Sequence, residues 1–183
     1  GLLRLNSEPS LGLKTILSFS GINKDLTIND IVFRIGPKIN AAGRVESGNK
    51  SVELLIADDE TKATEVAASI NNFNDQRKKL EHDITEEALE YINQSHYDQS
   101  QKATVLYNPN WHKGVIGIVA SRLTEYYYRP TVILTESNGL ATGSARSVEG
   151  FDLYYAISQC SEFLENYGGH KYAAGLTLRL ENI

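Results

Sequence analysis

The chain has one cysteine in 183 residues, no surplus of positive charge and no long apolar run. A single cysteine excludes a disulfide framework and points to a reducing cytoplasm. Nothing near Cys160 supplies a base, so it is not read as a nucleophile. The net charge of −5, from 18 Lys+Arg against 23 Asp+Glu, excludes a generally basic surface for nucleic acid. Any anion site must therefore be local. No stretch approaches the roughly 18 apolar residues of a membrane span, and the N-terminus carries no signal-peptide pattern. The four histidines, His82, His96, His112 and His170, stand singly, and no cluster of Asp and His resembles a two-metal centre. Asp58-Asp59-Glu60 reads better as an acidic helix start than as a metal site. A Walker loop, a dinucleotide fingerprint and a Ser-His-Asp set are also absent.

What is present suits a protein with a real core. The hydrophobic share is 41%, and the length fits one large domain or a small domain with an extension. Between Asp59 and Asn93, apolar or small residues recur three or four apart, at Ala63, Val66, Ala67, Ile70, Phe73, Leu80, Ile84, Ala88, Tyr91 and Ile92, with Arg77 as the one polar interruption. At 1.5 Å per residue this makes a helix of roughly 50 Å, which suits a spacer between two bodies. Gln94 to Gln101 is polar and reads as a loop.

Beyond that loop the pattern is α/β over residues 101–183. Ala103–Tyr107, Thr131–Thr135, Leu140–Ala145 and Ala174–Leu180 read as strands. Gly114–Tyr128 reads as a helix, and Asp152 as the cap of another carrying Leu153, Ala156, Ile157, Cys160 and Leu164. In the first 58 residues, Leu11–Ser18 and Ser51–Ala57 read as short helices and Ile31–Ile35 as a strand or the entry to a turn. That segment holds too little for an independent core.

Three segments combine small residues with a cation. Tyr167-Gly168-Gly169-His170-Lys171-Tyr172-Ala173-Ala174-Gly175 reads as a glycine-rich loop in which backbone N–H groups approach an anion, or as a tight turn into the last strand. Gly36-Pro37-Lys38-Ile39-Asn40-Ala41-Ala42-Gly43-Arg44 has the same style, with a helix C-cap or a salt bridge to Glu46 or Glu53 as the plainer role for Arg44. Gly143-Ser144-Ala145-Arg146-Ser147 places hydroxyls and a guanidinium at a strand end, a set suited to phosphate or to a surface Arg. Trp111-His112-Lys113-Gly114 precedes a helix N-terminus, with Trp111 as a core anchor and His112 as a cap in the plainer reading.

Taken in chain order from about Ile31 to Leu180, with the Trp111 segment continuing through Val115-Ile116-Gly117, these four segments resemble the ordered motifs of the RecJ-type single-stranded-DNA-specific 5′→3′ exonucleases of the DHH phosphoesterase superfamily. The resemblance implies a C-terminal fragment. Residues 1–58 would be the tail of the DHH catalytic domain, 59–100 a long connecting helix and loop, and 101–183 a small mixed-sheet α/β DHH-associated domain. Manganese or magnesium, with its Asp and His ligands, would belong to a catalytic domain absent from this sequence, so no cofactor is expected here and the fragment alone would not hydrolyse DNA. Carried over by motif, Arg44, Ser144 and Arg146 would bind the 5′-terminal phosphate. His170, supported by Gly168 and Gly169, would stabilise charge near the metals; Asn40, His112 and Lys113 are weaker candidates for backbone contacts. The implied partners are single-stranded DNA, a single-strand binding protein and a RecQ-type helicase, in the cytoplasm and without a membrane. Two alternatives stand beside this: a phosphodiesterase of the same superfamily acting on short oligonucleotides or cyclic dinucleotides, and a non-catalytic binding module. Residues 101–183 hold seven Lys+Arg and seven Asp+Glu, so the fragment alone is expected to bind weakly and with salt sensitivity.

Overall fold

The computed structural model describes residues 1–22, 24–94 and 101–183; the expected loop and His96 lie largely outside them. The chain forms two compact units, Gly1–Lys79 and Leu80–Ile183.

The first unit is helical: α1 (Leu2–Ser7), α2 (Leu11–Ser18), α3 (Ile28–Asp30), α4 (Gly36–Val45), α5 (Asn49–Leu55) and the first part of α6 (Glu60–Gln94). A capping box starts α3. The Thr27 hydroxyl accepts the Asp30 N–H at 3.3 Å, and the Asp30 carboxylate accepts the Thr27 N–H at 3.0 Å. The chain then stays helical to Val45, so Ile31–Ile35 is neither strand nor turn but a π-helical turn. Pro37 gives a physical reason. It offers no N–H and crowds the carbonyl four residues back, and a wider turn with Gly36 N–H bonded to Ile31 O relieves both.

Ile16, Ile35, Ala42 and Leu54 pack against Ala63, Val66, Ala67 and Ile70 of α6, so this unit takes half its core from the long helix. A Cβ on Gly12 would overlap the Leu54 carbonyl, because α2 and α5 meet backbone to backbone there. Lys38 is committed internally, donating to Phe19 O at 2.7 Å and Asn71 Oδ1 at 2.6 Å.

The Asp59 carboxylate caps α6, accepting the Lys62 N–H at 2.7 Å. The helix spans 35 residues. Arg77 is not alone in breaking its apolar stripe, because Asn74, Glu81 and Thr85 are buried on it as well. Arg77 donates to Asn74 Oδ1 at 3.1 Å, and Glu81 pairs with Arg122.

The second unit is a five-stranded mixed sheet, built from β1 (Thr104–Tyr107), β2 (Thr131–Ser137), β3 (Leu140–Arg146), β4 (Leu164–His170) and β5 (Ala173–Leu178). The strand order is β1-β2-β3-β5-β4. The first pair is parallel, joined through α7 (Ile116–Tyr127), and the others are antiparallel. Ile84, Ala88 and Ile92 of α6 pack with Val115, Val119 and Leu123 beside α7 on one face. On the other face Leu153 and Ile157 of α8 (Leu153–Ser158) pack with Ala145 and Ala174. Asp152 caps α8 through the Tyr155 N–H at 2.9 Å.

Two expectations change here. The helix after Asp152 ends at Ser158, and the chain tightens into three-residue turns, so Cys160 is exposed beyond it and Leu164 opens β4. The glycine-rich segment is a β-hairpin rather than a loop, with Lys171-Tyr172 as its turn. The turn carbonyls are pinned, Tyr172 O by Ser147 N–H at 3.0 Å and Lys171 O by Leu153 N–H at 3.1 Å.

Candidate nucleic-acid interface

The strand register brings the second-unit candidates together. Arg146 on β3 opposes Ala173 on β5, which opposes His170 on β4. One step along, Ser144 opposes Gly175, which opposes Gly168, and then Thr142, Thr177 and Asn166 form a third row. Directly opposed residues of antiparallel strands share a face, and so do residues two apart. Ser144, Arg146, Gly168 and His170 therefore stand on one face, with glycine or alanine between them. Over β4 and β5 this face holds a shallow depression of about 360 Å³, bordered by Thr142, Asn166, Gly168, Gly175 and Thr177.

The glycines around it divide by what a side chain would meet. At Gly169, φ is +149°, and a Cβ would overlap the Ala173 carbonyl and lie 2.6 Å from Ala174 Cα. At Gly143 it would lie 2.5 Å from Leu134 Cδ2. Gly169 is required by the fold, since its neighbours are backbone atoms, whereas a side chain at Gly143 would force the leucine side chains to shift. At Gly168 a Cβ would meet nothing within 4 Å, and at Gly175 only the Gly143 carbonyl at 3.8 Å. Packing within the chain does not demand glycine there, and its absence of side chain leaves the backbone open to an approaching ligand.

The polar groups are oriented. His170 Nδ1 accepts the Tyr172 N–H at 3.2 Å, which leaves Nε2 as the protonated nitrogen of the neutral ring and makes it a hydrogen-bond donor. Arg146 donates from Nε to Ser121 Oγ at 3.1 Å and from Nη1 to Ala145 O at 2.8 Å. Its Nη2 lies 3.1 Å from where a Cβ on Gly117 would stand, and Ser144 Oγ lies 3.3 Å from the same point. A guanidinium and a hydroxyl beside Gly117, with an imidazole N–H two strands away on the same face, are groups that can receive phosphate oxygens.

The other candidates lie elsewhere. Lys113 Nζ donates to Ser137 at 3.3 Å, and Trp111 O accepts from Thr135 at 2.6 Å. Ser137 is six residues along β2 from Thr131, the partner of Arg146, or roughly 20 Å by strand rise. His112 Nδ1 accepts the Gly114 N–H at 3.1 Å, capping the turn into α7. Trp111 is a core anchor, buried in the α7 core with Nε1 donating to Glu87 at 2.8 Å. In the first unit, Asn40 and Arg44 are four residues apart on an exposed face of α4. Arg44 stands in the last turn, where a cation suits the helix dipole; Glu53 pairs instead with Lys50 and Lys62.

Residues 100–183 match the family model described as the DHHA1 domain. The whole chain is 40% identical to the single-stranded-DNA-specific exonuclease RecJ of Bacillus subtilis over 186 residues, and 35% identical to that of Haemophilus influenzae over 191. Over its whole length this chain resembles part of RecJ. It spans 23% of the Bacillus RecJ and 33% of the Haemophilus RecJ, under a third or about a third of each. Among solved structures, RecJ of Thermus thermophilus in complex with Mg2+ superposes with a TM-score of 0.85 at 33% identity, covering 97% of this chain and 27% of that one. The exonuclease RecJ bound to manganese gives 0.81 at 32%, covering 97% and 43%. The fold is thus the mixed α/β sheet with a long helix found in RecJ. Among the described residues of the chain, no three His, Cys, Asp or Glu side chains gather to hold a metal ion, and no helix is long and apolar enough to cross a membrane.

Gly117 and Gly175 belong to the motif segments but were not assigned to a site by sequence reasoning, and Ser121 was not singled out at all, since one serine on a helix reads as solvent-facing until the crossing of α7 over β3 is known.

Proposed function

We propose that this chain is the nucleic-acid-contacting part of a metal-dependent 5′→3′ single-stranded DNA exonuclease acting in DNA repair and recombination. In this reading residues 1–58 are the tail of the catalytic domain and residues 101–183 the DHH-associated domain. The observation that carries it is the in-register row Arg146–Ala173–His170 beside Ser144–Gly175–Gly168. Arg146 receives the 5′-terminal phosphate with the Ser144 hydroxyl as a second donor. A terminal phosphate carries more charge than an internal one, so a cation there selects an end and sets polarity. The strand backbone follows the open glycines Gly168 and Gly175. His170 Nε2–H donates to a non-bridging oxygen and stabilises charge developing there. Arg44 adds a further phosphate contact, tested separately by Arg44→Ala.

A manganese or magnesium ion would supply water activation when bound. In this reading its ligands lie elsewhere in the intact protein and the chain alone is inactive, with a single-strand binding protein and a RecQ-type helicase as partners.

The test is degradation by the intact protein carrying this chain, with manganese, of single strands labelled at either end. Stepwise loss from the 5′ end supports the proposal. Cleavage restricted to dinucleotides would decide for the short-oligonucleotide phosphodiesterase.

A further inference from the structure

We propose that Ser121 is a positioning residue that sets the orientation of the Arg146 guanidinium, an inference that rests on Arg146 receiving the 5′-phosphate. Ser121 lies one turn after Gly117 in α7, and its hydroxyl donates to the Gly117 carbonyl at 3.1 Å. With its proton committed along the helix, the oxygen presents lone pairs, and one of them accepts Arg146 Nε–H at 3.1 Å. The Ala145 carbonyl accepts from Nη1 at 2.8 Å. Two acceptors at different nitrogens fix the plane of a guanidinium, which otherwise turns freely about a long flexible stem. Nη2 then lies over Gly117, 3.1 Å from where a Cβ would stand, with Ser144 Oγ 3.3 Å from the same point. A Cβ at position 117 would make both groups give way by a few tenths of an ångström.

The chemistry of the acceptor matters. A carboxylate at position 121 would hold the guanidinium at least as firmly, but it would cancel the charge that an anionic ligand needs. Ser121 Oγ and the Ala145 carbonyl are neutral acceptors, so they orient the group without themselves cancelling its charge. Orientation before binding reduces the ordering cost of binding, so the loss on removing it falls on affinity for the group that Arg146 receives.

The experiment measures kcat/KM of the intact protein on matched single strands with a 5′-phosphate and with a 5′-hydroxyl, for wild type, Ser121→Ala, Ser121→Thr, Arg146→Ala and the Ser121→Ala/Arg146→Ala double variant, with thermal unfolding of each. Ser121→Ala is expected to lower the phosphate-over-hydroxyl ratio three- to tenfold, through KM, and Ser121→Thr to restore most of it. The double variant is expected to match Arg146→Ala alone, since a positioning residue has no effect once its target is gone. If Ser121→Ala keeps the full ratio while Arg146→Ala loses it, the positioning role is wrong and the phosphate reading stands. If Arg146→Ala also keeps the ratio, the phosphate reading itself fails and this inference with it. Additive losses in the double variant, or equal losses on both substrates with a lowered unfolding temperature, would likewise overturn the positioning role.

Discussion

Adjacent glycines in one hairpin should respond to the same substitution in opposite ways. Gly168 is an extended strand residue, and a methyl there would meet nothing within 4 Å. Alanine is better than glycine inside a strand by about 0.5–1 kcal/mol, so Gly168→Ala should raise the unfolding temperature by roughly 1–4 °C, at about 2–4 °C per kcal/mol for this size. Gly169 has φ +149°, and its methyl would run into the Ala173 carbonyl and Ala174 Cα. These are backbone atoms of the paired strand, so they cannot swing aside. The disfavoured backbone conformation costs about 1–3 kcal/mol and the overlap about 1–3 more. At about 4 kcal/mol in total, Gly169→Ala should lower the unfolding temperature by roughly 8–16 °C. Function should order them differently. The Gly168 methyl fills part of the open depression, so Gly168→Ala should weaken single-strand binding about tenfold, which is about 1.4 kcal/mol, in a protein more stable than wild type. Thermal unfolding by circular dichroism and KM on a single strand give both axes. A Gly168→Ala variant that binds DNA as wild type does would refute the claim that this face is left open for the strand.

Gly117→Ala should gain up to about 1 kcal/mol in helix propensity while its methyl, 3.1 Å from Arg146 Nη2 and 3.3 Å from Ser144 Oγ, displaces both groups; thermal unfolding should rise as 5′-phosphate preference falls several-fold. Hydrogen bonds from the Thr27 hydroxyl and backbone N–H hold the Asp30 carboxyl below its ordinary value of 3.8. A depressed folded-state value means that this contribution is complete above the ordinary value and is lost as pH falls through the folded one. Asp30→Asn should therefore be less stable than wild type at neutral pH, with the difference closing below about pH 4 in paired pH–stability curves. Trp111→Ala should cost about 3–5 kcal/mol by emptying the α7 core, measured by denaturant unfolding. Its lesion should appear as lost folded protein rather than as altered end preference.

The parts legible in the sequence are those with a strong period. The apolar stripe of α6 places its ends within one residue of Glu60 and Gln94, and the branched runs at Thr131–Leu134 and Val105–Leu106 mark the parallel pair. The hairpin around His170 is not legible in this way, because Gly168, Gly169, Ala173, Ala174 and Gly175 carry no apolar alternation; pairing of β5 to β3 and of β4 to β5 makes them strands. Ile31–Ile35 looks extended by composition, yet the Thr27–Asp30 box before it and Pro37 after it keep the chain helical. The candidate site divides along the same line. Ser144 and Arg146 share a face by simple alternation, whereas their alignment with Gly168 and His170 depends on a two-residue turn that sets the register. His112 and Lys113 carry the right chemistry for an anion, but the order of the sheet puts them toward the Ser137 end of β2.

The central claim is that the Arg146–His170 face receives the 5′-phosphorylated end of a single strand. The most direct measurement is the ratio of kcat/KM for a 5′-phosphorylated over a 5′-hydroxyl strand, in wild type and in Arg146→Ala. A preference in wild type that falls at least tenfold in the variant, mainly through KM, is the result predicted for loss of one charge-assisted phosphate contact, worth about 1.5–3 kcal/mol. An Arg146→Ala enzyme with the wild-type ratio would contradict it.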